Sequence, residues 1–292
     1  QGESTIRNVA FSEDIAATAD CLRALGAQIT VSGDTVTVLG CGGRPCANGP
    51  LHCRESGSTL RFFIPLCLLA SGATLTGSER LMERPLSVYE DLFATRNITL
   101  TRSPGTVSVS GRLQGGVFSV PGDVSSQFLT GLLFALPLLE GESRIEATTP
   151  LESASYLLLT LAALERFGVQ VLRESERVFV IPGNQTYHPC DVTVEGDESN
   201  AAFFGAFSAV GGKVAVTGRN PQTLQGDRVW EPLFERLQTG FCEISVGDCP
   251  DLAPILMTVA ALNHGGRFTE TRRLKIKASD RGAAMAEELT NY

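Results

Sequence analysis

In Gly122 to Gly141, GDVSSQFLTGLLFALPLLEG, two serines and a glutamine (Ser125, Ser126, Gln127) stand directly in front of an apolar run. Small polar groups at a helix start have two uses. One of Asp123, Ser125 or Ser126 can cap the helix by accepting a free backbone N–H. The cluster as a whole can instead join those N–H groups and the helix dipole in holding a phosphate or polyhydroxylated ligand. A cap needs one such residue and the stretch offers several. Ser58, Ser199 and Asp251 occupy comparable places in front of other apolar runs. Several polar helix starts of this kind are expected to converge on a common cleft.

The elements that must position these residues form a repeat. ESGSTLRFFIPLCLLASGATLTG, the Gly122 stretch with its continuation, DESNAAFFGAFSAVGGKVAVTG and DCPDLAPILMTVAALNHGGRFTET share one grammar. Each has a polar start, an apolar helix, a Gly-containing stop and a short alternating strand. A second element alternates with it: CLRALGAQITVSGDTVTVLG, DLFATRNITLTRSPGTVSVSG and LERFGVQVLRESERVFVIPG each read as an amphipathic helix, a Gly or Asn exit and a hairpin. The spacing is roughly 50 to 75 residues, long for a solenoid. Helices of the first kind are apolar nearly all round and are expected to be buried among sheets and amphipathic helices. A break at IPGNQTYHPCDVTVEGD, interrupted by Pro182, Gly183 and Pro189, places a domain boundary there. Residues 1–188 then form a three-repeat α/β domain whose first unit is incomplete, and 189–292 form part of a second.

At 292 residues the chain is long enough for about two domains. A hydrophobic fraction of 43% with 19% charged residues is globular composition. A net charge of −8 argues against a protein that wraps nucleic acid or lies on an anionic membrane, while leaving room for a local basic pocket. The eight cysteines contain no CxxC pair, and there are only three histidines, so neither zinc nor redox chemistry is indicated. They read as reduced, buried or half-buried thiols, which suits the cytoplasm. No segment reads as a membrane span or a signal peptide. The chain opens on Gln1 inside what reads as a strand and is expected to be a fragment.

ESGSTLRF, ERPLSVYEDL, PGDVSSQFLTGLLFALPLL, VEGDESNAAFFGAF, TLQGD, DCPDLAPILMTVAAL and KIKASDRGAAMAEEL follow one another in the order seen in 5-enolpyruvylshikimate-3-phosphate synthases, the 3-phosphoshikimate 1-carboxyvinyltransferases. The chain resembles that family over essentially its whole length. The resemblance implies the two-domain enolpyruvyl transferase fold, an inside-out α/β barrel in each domain, with repeated α/β units and buried helices. It implies transfer of the enolpyruvyl group of phosphoenolpyruvate to the 5-hydroxyl of shikimate 3-phosphate, with release of phosphate, in aromatic amino-acid synthesis. No metal or organic cofactor is implied, and a cytoplasmic monomer with small-molecule substrates is expected.

By the same resemblance, Ser125, Ser126, Gln127 and Ser153 bind shikimate 3-phosphate, with Tyr156 beside Ser153. Gly57, Arg84, Gln127 and Arg281 bind phosphoenolpyruvate. Asp251 resembles the base for the 5-hydroxyl, and Lys277 is similar to a cation that serves acceptor binding and catalysis. Read without the family, Ser153 and Asp251 are helix caps, Tyr156 is a core aromatic, Arg84 is a solvated loop residue, and Lys277 and Arg281 are surface charge. UDP-N-acetylglucosamine enolpyruvyl transferases share the fold and the donor, but their cysteine-bearing donor loop has no match near SGSERLMERPL.

Two departures bear on activity. Ala278 stands in KASDR where the family has a glutamate suited to proton transfer or donor positioning, and alanine can transfer no proton. The chain is also shorter than members of the family at both ends, which removes expected substrate-binding cations. These departures suggest a stretch inactive by itself, and leave a noncatalytic homologue that retains only the fold as the alternative. Glu55, where many members have Asn, is a lesser change.

Overall fold

The computed structural model describes residues 2–152, 154–275 and 280–290. The chain divides into two compact units, one of residues 1–151 and 160–194, the other of 152–159 and 195–292.

The first unit contains β1 (Glu3–Arg7), α1 (Glu13–Ala24), β2 (Gln28–Ser32), β3 (Thr35–Leu39), β4 (Leu51–His52), α2 (Gly57–Cys67), β5 (Gly72–Thr76), α3 (Glu79–Met82), α4 (Ser87–Ala94), β6 (Thr99–Ser103), β7 (Thr106–Ser110), β8 (Val117–Val120), α5 (Ser126–Ala135) and β9 (Ser143–Ala147). It continues with the later part of α6 (Ala154–Arg166), then β10 (Leu172–Arg173), β11 (Val178–Ile181) and β12 (Val192–Thr193). Three four-stranded sheets run β12-β1-β3-β2, β4-β5-β7-β6 and β10-β11-β9-β8. Each repeats one plan. An edge strand lies parallel to its neighbour (β12 to β1, β4 to β5, β8 to β9), and an antiparallel hairpin completes the sheet. The outer helices α1, α4 and α6 are followed by Gly26, Asn97 and Gly168, all at positive φ, the left-handed exit expected of Gly or Asn. Within this unit the repeat legible in the sequence is therefore a repeat of structure, whereas the strand expected after the helix in DESNAAFFGAFSAVGGKVAVTG is not formed.

Strand alternation points one side chain in two inward. Val107 and Val109 of β7, and Phe118 and Val120 of β8, are buried while their neighbours face outward. Helices α2 and α5 bury Leu60, Phe63, Ile64, Phe128, Leu129, Leu132 and Leu133. Gly131 makes their contact possible, because a Cβ there would lie 2.7 Å from the Arg61 carbonyl oxygen and would also collide with the Tyr89 hydroxyl. Pro65 within α2 removes the N–H that would bond the Arg61 carbonyl. The hydroxyl of Tyr89 lies 3.0 Å from that carbonyl and 3.0 Å from the carbonyl of Phe128, so one buried phenol joins both helix backbones. Its ring packs edge-on against Phe128 at 4.9 Å between centroids.

The second unit holds the start of α6 and then α7 (Glu198–Ala209), α8 (Trp230–Thr239), β13 (Cys242–Ser245), α9 (Ala253–Ala261), β14 (Gly266–Thr269) and α10 (Arg281–Thr290). Strands β13 and β14 pair in parallel across α9, the same β-helix-β plan. The core gathers Trp230, Phe234, Leu237, Ile244, Leu256 and Val259 against the small face of α7, Ala201, Ala202, Ala206 and Ala209. A Cβ at Gly205 would strike the Trp230 ring. The Glu198 carboxylate, 1% exposed, is held by Arg219 at 2.8 Å and by the Trp230 indole N–H at 3.0 Å.

Burial of the apolar helices holds for α2, α5 and α9 and only in part for α7. Phe203, Phe204 and Phe207 remain 45%, 59% and 58% exposed. Small residues take the buried side of α7, and the one described sheet of this unit, β13-β14, has two strands. Among the described residues, no helix is long and apolar enough to cross a membrane.

Candidate functional site

In the first unit, the start of α5 resolves the choice posed by its polar cluster. Ser125 is the cap, its Oγ accepting the Gln127 backbone N–H at 3.3 Å. Asp123 is not a cap. It accepts a hydrogen bond from the Thr149 hydroxyl at 2.8 Å, and Thr149 Oγ1 in turn accepts the Gly122 N–H at 2.8 Å. Ser126 is the buried first residue of the helix. The Gln127 side-chain oxygen accepts from Arg61 Nη1 at 2.7 Å. Since a guanidinium only donates, this contact assigns the amide orientation and leaves the Gln127 NH2 group as donor for another partner.

Arg61 stands outside the residues that the motifs single out. It lies one helical turn after Gly57 on α2, whose cap is Ser56, so Ser58 falls inside the helix rather than at its cap. It is 8% exposed, and burial, followed by repulsion from Arg84, pushes its guanidinium down to about 10. Its Nη2 reaches the Pro85 carbonyl at 3.4 Å and its guanidinium lies 5.1 Å from the Phe128 ring centre. The Arg84 guanidinium fills the space left by the missing Cβ of Gly57. Among the described residues, the buried Nε atoms of both Arg61 and Arg84 have no acceptor. Two neighbouring cations with spare donors form a site for an anion. Signals for Arg61 were present in ESGSTLRFF, a lone charge inside an apolar helix four residues after Gly57.

In the second unit, Asp251 precedes α9 but does not cap it. The cap position is Leu252 and makes no side-chain bond. Asp251 instead pairs with Arg281 Nη1 through Oδ1 at 2.6 Å and accepts the Tyr156 hydroxyl on Oδ2 at 2.7 Å. Arg281 is thus an ion-pair partner here, with a further contact to the Pro250 carbonyl at 3.3 Å. Tyr156 also lies 3.3 Å from Asp227 Oδ2, the oxygen that accepts the Ser199 hydroxyl. Burial first, then the two carboxylates, push the Tyr156 phenol well above its ordinary range, so it acts as a hydrogen-bond donor at neutral pH. Asp227 belongs to the TLQGD motif and had no role assigned from sequence; nothing local marks its carboxylate as buried. Ser153, Lys277 and Ala278 lie outside the described residues.

Comparison with known proteins begins with the fold. Two solved structures of EPSP synthase from Acinetobacter baumannii superpose with a TM-score of 0.74 each at 22% identity, covering 98% and 99% of this chain and 72% of theirs. They establish the enolpyruvyl transferase architecture. The family model for EPSP synthase (3-phosphoshikimate 1-carboxyvinyltransferase) matches residues 1–292. A 3-phosphoshikimate 1-carboxyvinyltransferase of Clostridium kluyveri is 42% identical over 308 aligned positions, 99% of this chain and 72% of the relative. One from Clostridium perfringens strain 13 is 38% identical over 311, covering 73% of that protein. The chain belongs to the EPSP synthase family, and the family is one of transferases.

Proposed function

We propose that this chain serves the transfer of the enolpyruvyl group from phosphoenolpyruvate to the 5-hydroxyl of shikimate 3-phosphate, the shikimate-pathway reaction of its family. The observation that carries the reading is the Arg61–Arg84 pair, two guanidiniums with buried N–H groups that lack acceptors. A donor bearing both a carboxylate and a phosphate supplies those acceptors. Gly57 makes room for Arg84, and Gln127, oriented by Arg61, offers its NH2 group to donor or acceptor. Ser125, Ser126 and Ser153 are assigned to the phosphate of the acceptor, where hydroxyls at a positive helix end suit an anion. Asp251 is assigned as the base, and Lys277 and Arg281 as cations for acceptor and donor.

The chemistry is addition followed by elimination. The acceptor oxygen attacks C2 of the donor as its proton passes to Asp251, and C3 takes up a proton. The tetrahedral adduct then loses a proton from C3 and expels phosphate, restoring the double bond. Preorganised cations stabilise the phosphate and carboxylate charge throughout. A cytoplasmic monomer with two domains, 1–188 and 189–292, belongs to the same reading. That boundary falls shortly before Val194, where the first compact unit ends.

The test is phosphate release by the purified chain with each substrate alone and with both. Turnover that requires both supports the transfer. Stabilisation against heat by shikimate 3-phosphate without turnover favours the noncatalytic alternative, for which Ala278 is the motivating residue, and recovery of turnover in Ala278→Glu reverses it. Stabilisation by a UDP-sugar instead of shikimate 3-phosphate overturns the choice of acceptor.

A further inference from the structure

Asp227 has no part in the transfer as described, yet its carboxylate is 4% exposed and sits beside the proposed base. The geometry around Asp251 explains why it is there. Both oxygens of Asp251 already hold hydrogens, Oδ1 from Arg281 at 2.6 Å and Oδ2 from Tyr156 at 2.7 Å. A carboxylate so engaged is held in its charged form. Protonation removes that charge and makes Oδ2 a weaker acceptor, so its hydrogen-bond donors are drawn to any carboxylate within reach. Arg281 is always charged and keeps its hydrogens. Tyr156 has a single hydrogen on a rotatable hydroxyl, and Asp227 Oδ2 is a second acceptor 3.3 Å from the same oxygen.

We infer that Asp227 is a positioning residue for Asp251: it anchors Tyr156 and takes over the Tyr156 hydroxyl hydrogen when Asp251 is protonated. This rests on the reading of Asp251 as base. In the resting arrangement the hydrogen lies toward Asp251, and the Ser199 hydroxyl donates to Asp227 Oδ2. When the acceptor hydroxyl gives its proton to Asp251, the Tyr156 hydroxyl turns to Asp227. Its oxygen lone pair then faces the new O–H of Asp251. No proton leaves Tyr156, and its hydrogen passes from the neutral acid to the charged carboxylate of Asp227, the stronger acceptor.

Among the described residues, the groups around Asp251 include Arg281 on α10, Tyr156 on α6, Asp227, and its loop neighbours Asp248 and Cys249. The Cys249 thiol is pushed up to about 12 by burial and then by Asp227, Asp248 and Asp251, which reports three carboxylates around it. Through-space repulsion from Asp227 would therefore also act on Asp251, and the test must separate it from the shared hydrogen.

The experiment is carboxyl-carbon NMR titration of the full chain, with the Asp251 signal assigned by its loss in Asp251→Asn. Tyr156→Phe removes a donor and is expected to raise the Asp251 midpoint, while Asp227→Asn holds the tyrosine hydrogen on Asp251 and lowers it, each by about half a unit or more. In the double variant the Asp227→Asn shift should largely vanish. A shift that persists undiminished without the tyrosine hydroxyl reflects charge repulsion alone and overturns the proposal, as does no shift in either single variant. Should Asp227→Asn fail to fold, Ser199→Ala frees the competing lone pair and must raise the Asp251 midpoint; an unchanged midpoint there also overturns it. Retained turnover in Asp251→Asn would refute the base assignment separately, without altering the titration.

Discussion

Helices α5 and α7 have the same grammar, a polar cap followed by a run apolar on every side, and meet different fates. In α5 every large side chain from Phe128 to Leu133 is buried, and Gly131 lets the backbone approach α2. In α7 the alanines and Gly205 face the core, and Phe203, Phe204 and Phe207 face outward. The first unit surrounds its helices with three four-stranded sheets, while the second has one described sheet of two strands. An all-round apolar helix thus has the capacity for burial, and its neighbours decide how much of that capacity is used. The candidate site residues differ in the same way. Those of the first unit are cations with spare donors, and those of the second are a carboxylate already satisfied by partners.

This contrast can be broken most severely by removing one residue proposed for the site from each unit. Arg84→Ala is expected to raise the donor KM, and Asp251→Asn to lower kcat by roughly 100-fold or more, the size of a lost general base. An effect of Arg84→Ala on acceptor KM alone would contradict its proposed role in donor binding.

A second comparison concerns packing. Phe128→Ala should cost about 3–5 kcal/mol, as for a buried aromatic, whereas Phe204→Ala should change stability by less than about 0.5 kcal/mol. Urea midpoints of the two variants measure this, and similar losses would mean that the Phe204 face is covered in solution. Tyr89→Phe tests the staple between α2 and α5. Loss of its hydroxyl leaves the Arg61 carbonyl without this partner and should cost about 1–3 kcal/mol, read in the same denaturation series.

The smallest effect lies at the exposed join of β12 to β1. Asp191 accepts the Thr5 backbone N–H at 3.0 Å and Arg7 Nη2 at 3.2 Å, which hold its carboxyl below its ordinary value of 3.8. Because the folded value is depressed, the contribution is present above 3.8 and is lost as pH falls through the depressed value. Hydrogen exchange at the Thr5 amide should therefore gain protection with rising pH across that window, after correction for intrinsic exchange. Asp191→Asn should abolish that gain, and an identical profile in the variant would remove the carboxylate from the account.

Much of this was legible in the chain itself. The alternation of apolar and amphipathic helices, the hairpin at SPGT and the left-handed exits all follow from local pattern and turn chemistry. The motifs that carry the resemblance also pointed to the family. What local pattern could not show was the partner of each polar residue. Ser125 and Asp251 look alike from sequence, a small polar residue before an apolar run, yet the first caps its helix and the second is drawn to Tyr156 and Arg281. Arg61 and Asp227 acquire meaning only through burial beside groups far away in sequence.

The sequence by itself determined most of the helices and hairpins, where they stop, and which residue types stand at each helix start, because these depend on backbone propensity and hydrophobic period; the alternating stretch KVAVTG, which forms no strand, is the exception. Tertiary structure alone decided which carbonyls Tyr89 joins, which arginines lie side by side, and which face of α7 is buried. The physical reason is that desolvation, charge proximity and close packing depend on distance in space, and the chain brings together residues that no local rule connects.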